Sequence, residues 1–179
     1  MKIYIYGASG HGLVVADIAK ACGYEEVIYI DDGENTFPTF DEIKKQNDIP
    51  IAFGIGVNGT RKKLFEKAVK HGFEVVTLVH PSAILSSTVT FGIGIVIMPN
   101  VVVNTLSHIG DFVHISPNTA LAGEVTIKEN THIGIGSNII QGITVGKNCI
   151  IGAGSVVVRD IKNNTLCYGN PCKIIKEIN

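Results

Sequence analysis

A six-residue repeat runs from Leu85 to about Val156 and restricts the fold of this chain more than any other feature. Every sixth residue is a large apolar anchor, and the residue four places after each anchor is small or β-branched. The anchors are Leu85, Phe91, Ile97, Val103, Ile109, Ile115, Leu121, Ile127, Ile133, Ile139, Val145 and Ile151. An α-helix has about 3.6 residues per turn and the side chains of a flat strand alternate, so neither keeps a period of six on one face. The repeat therefore predicts a parallel β-helix, with three hexads in each triangular coil and the anchors inside.

Composition and charge narrow the class of protein. The formal net charge is −1, and no basic tract indicates a nucleic-acid surface. No apolar run approaches the roughly 20 residues that span a bilayer, and the first residues are too soon interrupted by Gly7 for a signal peptide. The four cysteines form no C-x-x-C pair, so neither zinc nor disulfides are indicated. We expect a cytoplasmic protein with reduced thiols and no membrane partner.

The first part of the chain follows the plan of a nucleotide-binding βαβ unit. A β-type run at 2–6 leads into the glycine turn 7–12, and a helical pattern follows at 13–22. A second strand is expected at 26–30, closed by the acidic pair Asp31 and Asp32. Further elements are expected as helices at 40–47 and 61–71 and as strands at 50–55 and 73–79.

The glycine turn is a candidate anion site. Glycines let a ligand approach the backbone, and the N–H groups at a helix start attract negative charge. Gly10 and Gly12 would admit a nucleotide or sugar phosphate, His11 would donate to it, and Asp31 and Asp32 would accept from hydroxyls or a base. The G-x-x-G-x-G spacing differs from the dinucleotide fingerprint, so NAD is not predicted. The alternative is that the glycines only form the turn and the acids only cap a loop.

Three histidines share the sixth place of their hexads, so His108, His114 and His132 are all expected to point outward. His114 and His132 are one coil apart and should stack about 4.8 Å apart, while His108 lies on the adjacent face. Imidazole is the usual general base near neutral pH. His114, on a surface with Gly123 nearby, is therefore a candidate general base. The alternatives are solvated side chains or a metal site of the γ-carbonic anhydrase kind, whose ligand spacing does not match.

With these parts assembled, the chain resembles bacterial sugar acyltransferases of the sialic acid O-acetyltransferase type, which include the nucleotide-amino-sugar N-acetyltransferases. The matching stretches are residues 6–12, 31–32, 109–116, 121–123, 151–157 and 169–173.

The resemblance implies an α/β Rossmann-like domain at 1–80 that binds a nucleotide sugar, and a left-handed parallel β-helix with a C-terminal cap at 81–179. It also implies a homotrimer with acetyl-CoA between neighbouring β-helices. By this comparison Gly10, His11, Asp31 and Asp32 would bind the nucleotide-linked amino sugar. The residues that would line the acetyl-CoA groove are His114, Gly123, Ile135 and Ala153.

The chain departs from the family where the general base is expected. The family has a histidine followed by an acidic residue, and this chain has Thr105 and Leu106 there, in a region about one coil shorter. His114 or His108 would have to replace that base. We expect an acetyl-CoA-dependent N-acetyltransferase of nucleotide-linked amino sugars. The alternatives are O-acetylation of a sialic-acid-like sugar and a catalytically impaired trimer that only binds its ligands.

Overall fold

The fold was described from a computed structural model that defines residues 1–178. The chain divides into two compact units, Met1–Leu78 and Val79–Asn179.

The N-terminal unit is a three-stranded parallel sheet with three helices. The strands are β1 (Lys2–Tyr6), β2 (Glu26–Ile30) and β3 (Ile51–Phe53), and the helices are α1 (Gly10–Ala21), α2 (Phe40–Ile43) and α3 (Asn58–Lys70). The strand order is β2-β1-β3, so β1 is central. All residues of β1 after Lys2 are buried, so both faces of the strand are covered, as in other parallel sheets. The ring of Tyr6 stacks on Phe40, with centroids 5.6 Å apart.

Several expected bounds in this unit need correction: α2 ends at Ile43 and not at 47, β3 is Ile51–Phe53 and not 50–55, and α3 begins at Asn58 and not at 61. Two further differences have a physical reason. The helix α1 begins at Gly10, three residues earlier than the pattern at 13–22 suggested, because Ser9 already has the extended N-cap conformation (φ −113°). The strand expected at 73–79 is wrong except at its end: Val75 makes only an isolated bridge to Ile51, and just Leu78–Val79 forms a strand, β4. Apolar runs of this length do not by themselves distinguish a strand from a packed connection.

The second unit is the predicted left-handed parallel β-helix. Its two-residue strands are β5 (Ile84–Leu85), β6 (Thr90–Phe91), β7 (Val96–Ile97), β8 (Val102–Val103), β9 (His108–Ile109), β10 (His114–Ile115), β11 (Ala120–Leu121), β12 (Thr126–Ile127), β13 (His132–Ile133), β14 (Asn138–Ile139), β15 (Thr144–Val145), β16 (Ile150–Ile151) and β17 (Val156–Val157). With β4, β18 (Thr165–Tyr168) and β19 (Lys173–Glu177) they form three sheets, labelled B, C and D after the N-terminal sheet A. Sheet B is β18-β16-β13-β10-β7-β4 with β19 at its edge, sheet C is β17-β14-β11-β8-β5, and sheet D is β15-β12-β9-β6.

The interior of the prism is filled by the two hexad positions that the repeat predicted. Anchors such as Ile109, Ile115 and Ile127 are fully buried. Buried hydroxyls at the other position find carbonyl acceptors in the next coil, as in the 2.8 Å bond from Thr131 Oγ1 to the Gly146 carbonyl. Phe91, with 40% exposure, and Leu85, which is partly buried, are the exceptions among the anchors, because β6 and β5 are the edge strands of sheets D and C.

The corners of the prism require left-handed backbone. Positive φ angles occur at Asn100, Asn118, Asn130 and Asn148, where asparagine is well tolerated. Leu106 has the same conformation (φ 59°) with an exposed side chain. Asparagines at the same corner bind one another across coils, as in the 2.9 Å bond from Asn130 Nδ2 to Asn148 Oδ1.

The end of the chain closes the last coil. The strand β18 (Thr165–Tyr168) continues sheet B in parallel, and β19 (Lys173–Glu177) pairs with it antiparallel. In the described part of the chain no helix is long and apolar enough to cross a membrane.

The prism core should tolerate truncation poorly. Replacing Ile115, which is 0% exposed, by alanine should lower the free energy of unfolding by about 2–5 kcal/mol, since the closed interior cannot collapse around the lost atoms. Ile93→Ala, at a residue that is 49% exposed, is the matched control and should cost about 1 kcal/mol or less. Guanidinium unfolding followed by circular dichroism measures both, and equal losses would contradict the assigned interior.

Candidate functional site

The glycine turn lies at the carboxyl edge of the N-terminal sheet. Gly7 directly follows β1, Asp31 directly follows β2, and Gly54 directly follows β3. In open parallel sheets this edge, next to the central strand, is where ligands bind.

Three of the glycines are required by close backbone contact. A Cβ added to Gly12 would lie 2.0 Å from the Gly7 carbonyl oxygen, and one added to Gly54 would lie 2.4 Å from the Gly12 Cα. Gly7 also has a φ of +109°, which side chains rarely adopt. A Cβ added to Gly10, in contrast, would meet nothing within 4 Å. Packing therefore accounts for Gly12, while Gly10 borders open space of the kind that a ligand could enter.

The first residue of the predicted acidic pair, Asp31, holds the glycine turn together. Asp31 Oδ2 accepts from the Ala8 N–H at 2.9 Å, and its Oδ1 accepts from the Gly33 N–H at 2.9 Å. These bonds leave further lone pairs on the carboxylate for a ligand. Asp31 thus links the end of β2 to the glycine turn, and its predicted role as an acceptor for substrate remains a prediction.

Asp32 is the centre of a polar cluster. Its Oδ2 accepts from Tyr6 Oη at 2.5 Å and from Lys67 Nζ at 3.0 Å, and its Oδ1 accepts from the Phe40 N–H at 2.8 Å. Lys67 Nζ also lies 4.5 Å from the centre of the Phe40 ring. Burial opposes ionisation of Asp32, but the three donors keep its pKa below the usual value. Burial and the Asp32 carboxylate raise the pKa of Tyr6, which stays a donor.

His11 sits in the first turn of α1 and is largely buried. Burial, together with the positive charge of Arg61, lowers the pKa of His11 to about 4. The imidazole is therefore neutral near pH 7, so one ring nitrogen can donate and the other can accept.

The β-helix places its three histidines on two sheets. His114 and His132 pair across β10 and β13, which confirms their predicted stacking, and His108 lies on sheet D. All three were expected to point outward from the prism; His114 is nevertheless 0% exposed, whereas His108 is exposed. The hexad rule gives the direction of a side chain relative to the prism axis but does not report what covers it. Within the described residues, no group of His, Cys, Asp and Glu side chains has the arrangement of a metal site.

His108 faces an open depression on sheet D. Its Nδ1 is 2.8 Å from Thr90 Oγ1, a contact that orients the ring. The depression has a volume of about 690 Å³, and Asp111, Thr126 and Lys128 also line it. Of the two predicted candidates for general base, His108 is the one that solvent and ligands can reach.

Of the four residues predicted to line an acetyl-CoA groove, Gly123, Ile135 and Ala153 lie along the two edges of sheet C, whereas His114 lies in sheet B. Ile135 and Ala153 occupy the same corner of successive coils, where the Gly154 N–H donates to the Ile135 carbonyl at 2.7 Å. Gly123 lies at the other corner, one coil above Thr105, whose carbonyl accepts from the Glu124 N–H at 2.8 Å. The sheet between these corners is flanked by apolar side chains, among them Ile140 and Val158, which are 44% and 37% exposed.

Sequence reasoning missed the polar residues on α3. Lys67 binds Asp32, and the charge of Arg61 acts on His11, whereas the pattern predicted for both residues only a place in the helix expected at 61–71. One signal in the sequence could have identified Arg61: the helical period assigns this charged residue to the buried face of the helix.

Comparison with known families places both units. Residues 2–68 match the PglD N-terminal domain, and residues 124–159 match the bacterial transferase hexapeptide (six repeats).

Solved structures resemble the chain over nearly its whole length. One is a histidine-to-alanine mutant of GDP-perosamine N-acetyltransferase from Caulobacter crescentus in complex with CoA and GDP-perosamine. It is 32% identical, with 99% of this chain and 98% of that chain covered and a TM-score of 0.83. Another is the acetyltransferase domain of PglB from Neisseria gonorrhoeae, 33% identical with 97% and 99% covered and a TM-score of 0.80.

A curated relative matches in part. UDP-N-acetylbacillosamine N-acetyltransferase from Bacillus subtilis is 30% identical over 112 residues, which are 54% of this chain and 51% of the relative. The chain thus matches about half the length of that protein.

The low pKa of His11 should make folding stability depend on pH. The unfolded state binds a proton near pH 6.5 and the folded state near pH 4, so stability is fully present above 6.5 and is lost as the pH falls toward 4. We expect a loss of about 2 kcal/mol over this window, allowing for the partial exposure of the ring. Urea unfolding of wild type and His11→Gln between pH 7 and 4.5 measures it. The difference between the two proteins should shrink with acid, and a constant difference would contradict the assignment.

Proposed function

Because the chain belongs to the sugar N-acetyltransferases of the hexapeptide-repeat superfamily, we propose that it transfers the acetyl group of acetyl-CoA to the amine of a nucleotide-linked amino sugar. The observation that carries the proposal is the 32% identity, over 99% of this chain, to an N-acetyltransferase bound to CoA and GDP-perosamine. A homotrimer in the cytoplasm completes the proposal.

The nucleotide sugar is assigned to the N-terminal unit. Gly10 borders open space at the carboxyl edge of the sheet, and the start of α1 supplies backbone N–H groups for a phosphate. His11 is neutral near pH 7 and donates one N–H to the ligand. Asp31 and Asp32 use their remaining lone pairs to accept from the sugar or the base.

Acetyl-CoA is assigned to the β-helix. Gly123, Ile135 and Ala153 line the two edges of sheet C, and the exposed apolar side chains beside them suit the aliphatic parts of the cofactor. The groove is completed by a second copy of the chain. His114 was predicted to line it too; this side chain is 0% exposed in sheet B, and its role in the groove stays a prediction.

The proposed chemistry is direct acyl transfer. The sugar amine attacks the thioester carbonyl carbon, the C–N bond forms, and the C–S bond breaks as the CoA thiolate leaves. His108 accepts the proton that the amine loses and returns it to the departing sulfur, which balances the reaction. Backbone N–H groups stabilise the oxyanion. No covalent enzyme intermediate is required, because the amine is itself a strong nucleophile once deprotonated.

A second candidate function is ligand binding without turnover. The observation that favours it is Thr105, which stands where the resembling family has its histidine; its Oγ1 lies 2.8 Å from Thr88 Oγ1. A hydroxyl of ordinary basicity cannot act as a general base near neutral pH. In this case the trimer would bind the sugar nucleotide or acyl-CoA in a structural or regulatory role.

The first test is thiol release from acetyl-CoA with UDP- and GDP-linked amino sugars. His108→Ala should lower kcat by about 10²–10⁴-fold, the usual contribution of a general base. His80→Ala, at a histidine that lies outside sheet D and bonds to Ser82 Oγ at 2.8 Å, is the matched control and should retain wild-type turnover. Undiminished kcat in His108→Ala would remove the base assignment, and no turnover in wild type with intact acetyl-CoA binding would favour the second candidate.

The role of the general base is also tested by introducing the two residues that the resembling family has at positions 105 and 106. The double substitution Thr105→His with Leu106→Asp introduces an imidazole and an acidic neighbour at an exposed corner, where φ of 59° suits aspartate better than leucine. If His108 only partly replaces the missing base, kcat should rise about tenfold or more. Leu106→Asp alone is the control for the change of corner residue. An unchanged kcat in the double variant would show that proton transfer does not limit the reaction.

A further inference from the structure

Arg61 is a fully buried arginine near the start of α3. It is the largest of the fully buried side chains, with 0% exposure. Its Nη1 donates to the Ile55 carbonyl at 3.0 Å and to the Gly56 carbonyl at 3.5 Å, and its Nη2 donates to Asn58 Oδ1 at 3.0 Å. The guanidinium therefore fixes the loop that connects β3 to α3.

All of these acceptors are neutral. Among residues 1–178 no carboxylate forms an ion pair with Arg61, and its Nε–H has no acceptor. Burial lowers the pKa of Arg61 only to about 10, so the side chain stays charged at neutral pH. A buried charge without a counter-ion is costly, and a hydrophobic residue would pack the helix more favourably. Stability therefore does not account for an arginine at this position.

The loop that Arg61 holds is in direct contact with the glycine turn. Ile55 follows Gly54, and the space beside Gly7 is closed by the Ile55 Cδ1 atom and the Gly54 carbonyl. The charge of Arg61 also acts on His11, in the first turn of α1. The buried cation thus lies near the place where the helix start and Gly10 were assigned a phosphate.

We propose that Arg61 is a positioning residue of the nucleotide-sugar site: it fixes loop 54–57 against the glycine turn and supplies a permanent positive charge that favours a diphosphate there. The bound diphosphate would be the counter-ion that Arg61 lacks within the protein. This inference rests on the proposed function and adds to it a residue, and a charge requirement, on the phosphate side of the ligand.

The test is calorimetric titration of the full-length protein with UDP, GDP and the matching nucleosides. Arg61→Met should weaken diphosphate binding about 10–100-fold and change nucleoside binding less than about threefold, because only the diphosphate carries charge. Arg61→Lys keeps the charge and should restore most of the loss. Lys62→Met is the matched control, since it removes a neighbouring exposed charge from the same helix, and it should bind like wild type.

A second readout does not depend on any ligand. In Arg61→Lys, whose charge persists, the pKa of His11 measured by NMR should stay close to its wild-type value, and in Arg61→Met it should rise, because a nearby positive charge is removed. If Arg61→Met does not fold, Arg61→Gln, which keeps hydrogen-bond donors and lacks the charge, replaces it and should show the same selective loss of diphosphate binding.

The outcomes separate the inference from the proposed function. Equal losses for diphosphate and nucleoside in Arg61→Met, or diphosphate binding as tight as in Lys62→Met, would overturn the inference and leave the function intact. A wild-type protein that binds neither UDP nor GDP and releases no thiol would overturn the proposed function, and the inference with it.

Discussion

The hydrogen bonds between successive coils are the constraint on which the β-helix depends. Each strand is only two residues long, so no strand is stable by itself, and each obtains its partners from the coils above and below. The bonds from the His114 N–H to the Thr131 carbonyl at 3.1 Å and from the His132 N–H to the Cys149 carbonyl at 2.9 Å continue this series through sheet B. Because these backbone bonds fix the register, the side chains of one coil are stacked on those of the next, inside and outside the prism.

The N-terminal unit depends on a different contact, the meeting of three glycines. Gly7, Gly12 and Gly54 bring the ends of two strands and the start of a helix within backbone distance. Asp31 and Arg61 then secure the turn and the loop from the two sides, one by accepting from the Ala8 N–H and the other by donating to the Ile55 carbonyl. A rigid edge of this kind orients N–H groups in advance, which reduces the entropy lost when an anion binds.

The prism and most N-terminal elements could be predicted from the sequence because their signals are periodic or local. Ile109 and Ile127 are interior for the same reason that every anchor is, and the turn at Gly10 follows from its glycines. The burial of His114 could not be predicted, because a hexad position defines direction and not coverage. The bonds from Tyr6 and Lys67 to Asp32 join residues far apart in the chain, and no period links them.

The stacking of coils also separates the surface of the prism into faces of different chemistry. Along sheet D the outward residues Thr90, His108, Thr126 and Thr144 are polar, while along sheet C the outward residues are apolar except for Asn138: Ile84, Val102, Ala120 and Val156. Residues whose numbers differ by the length of one coil, three hexads, lie on the same face of the prism. Substitutions at such a set of positions therefore alter one face only. The chain can therefore change its recognition of one partner while the surface for another stays as it was, a separation that a globular core of interleaved elements does not offer.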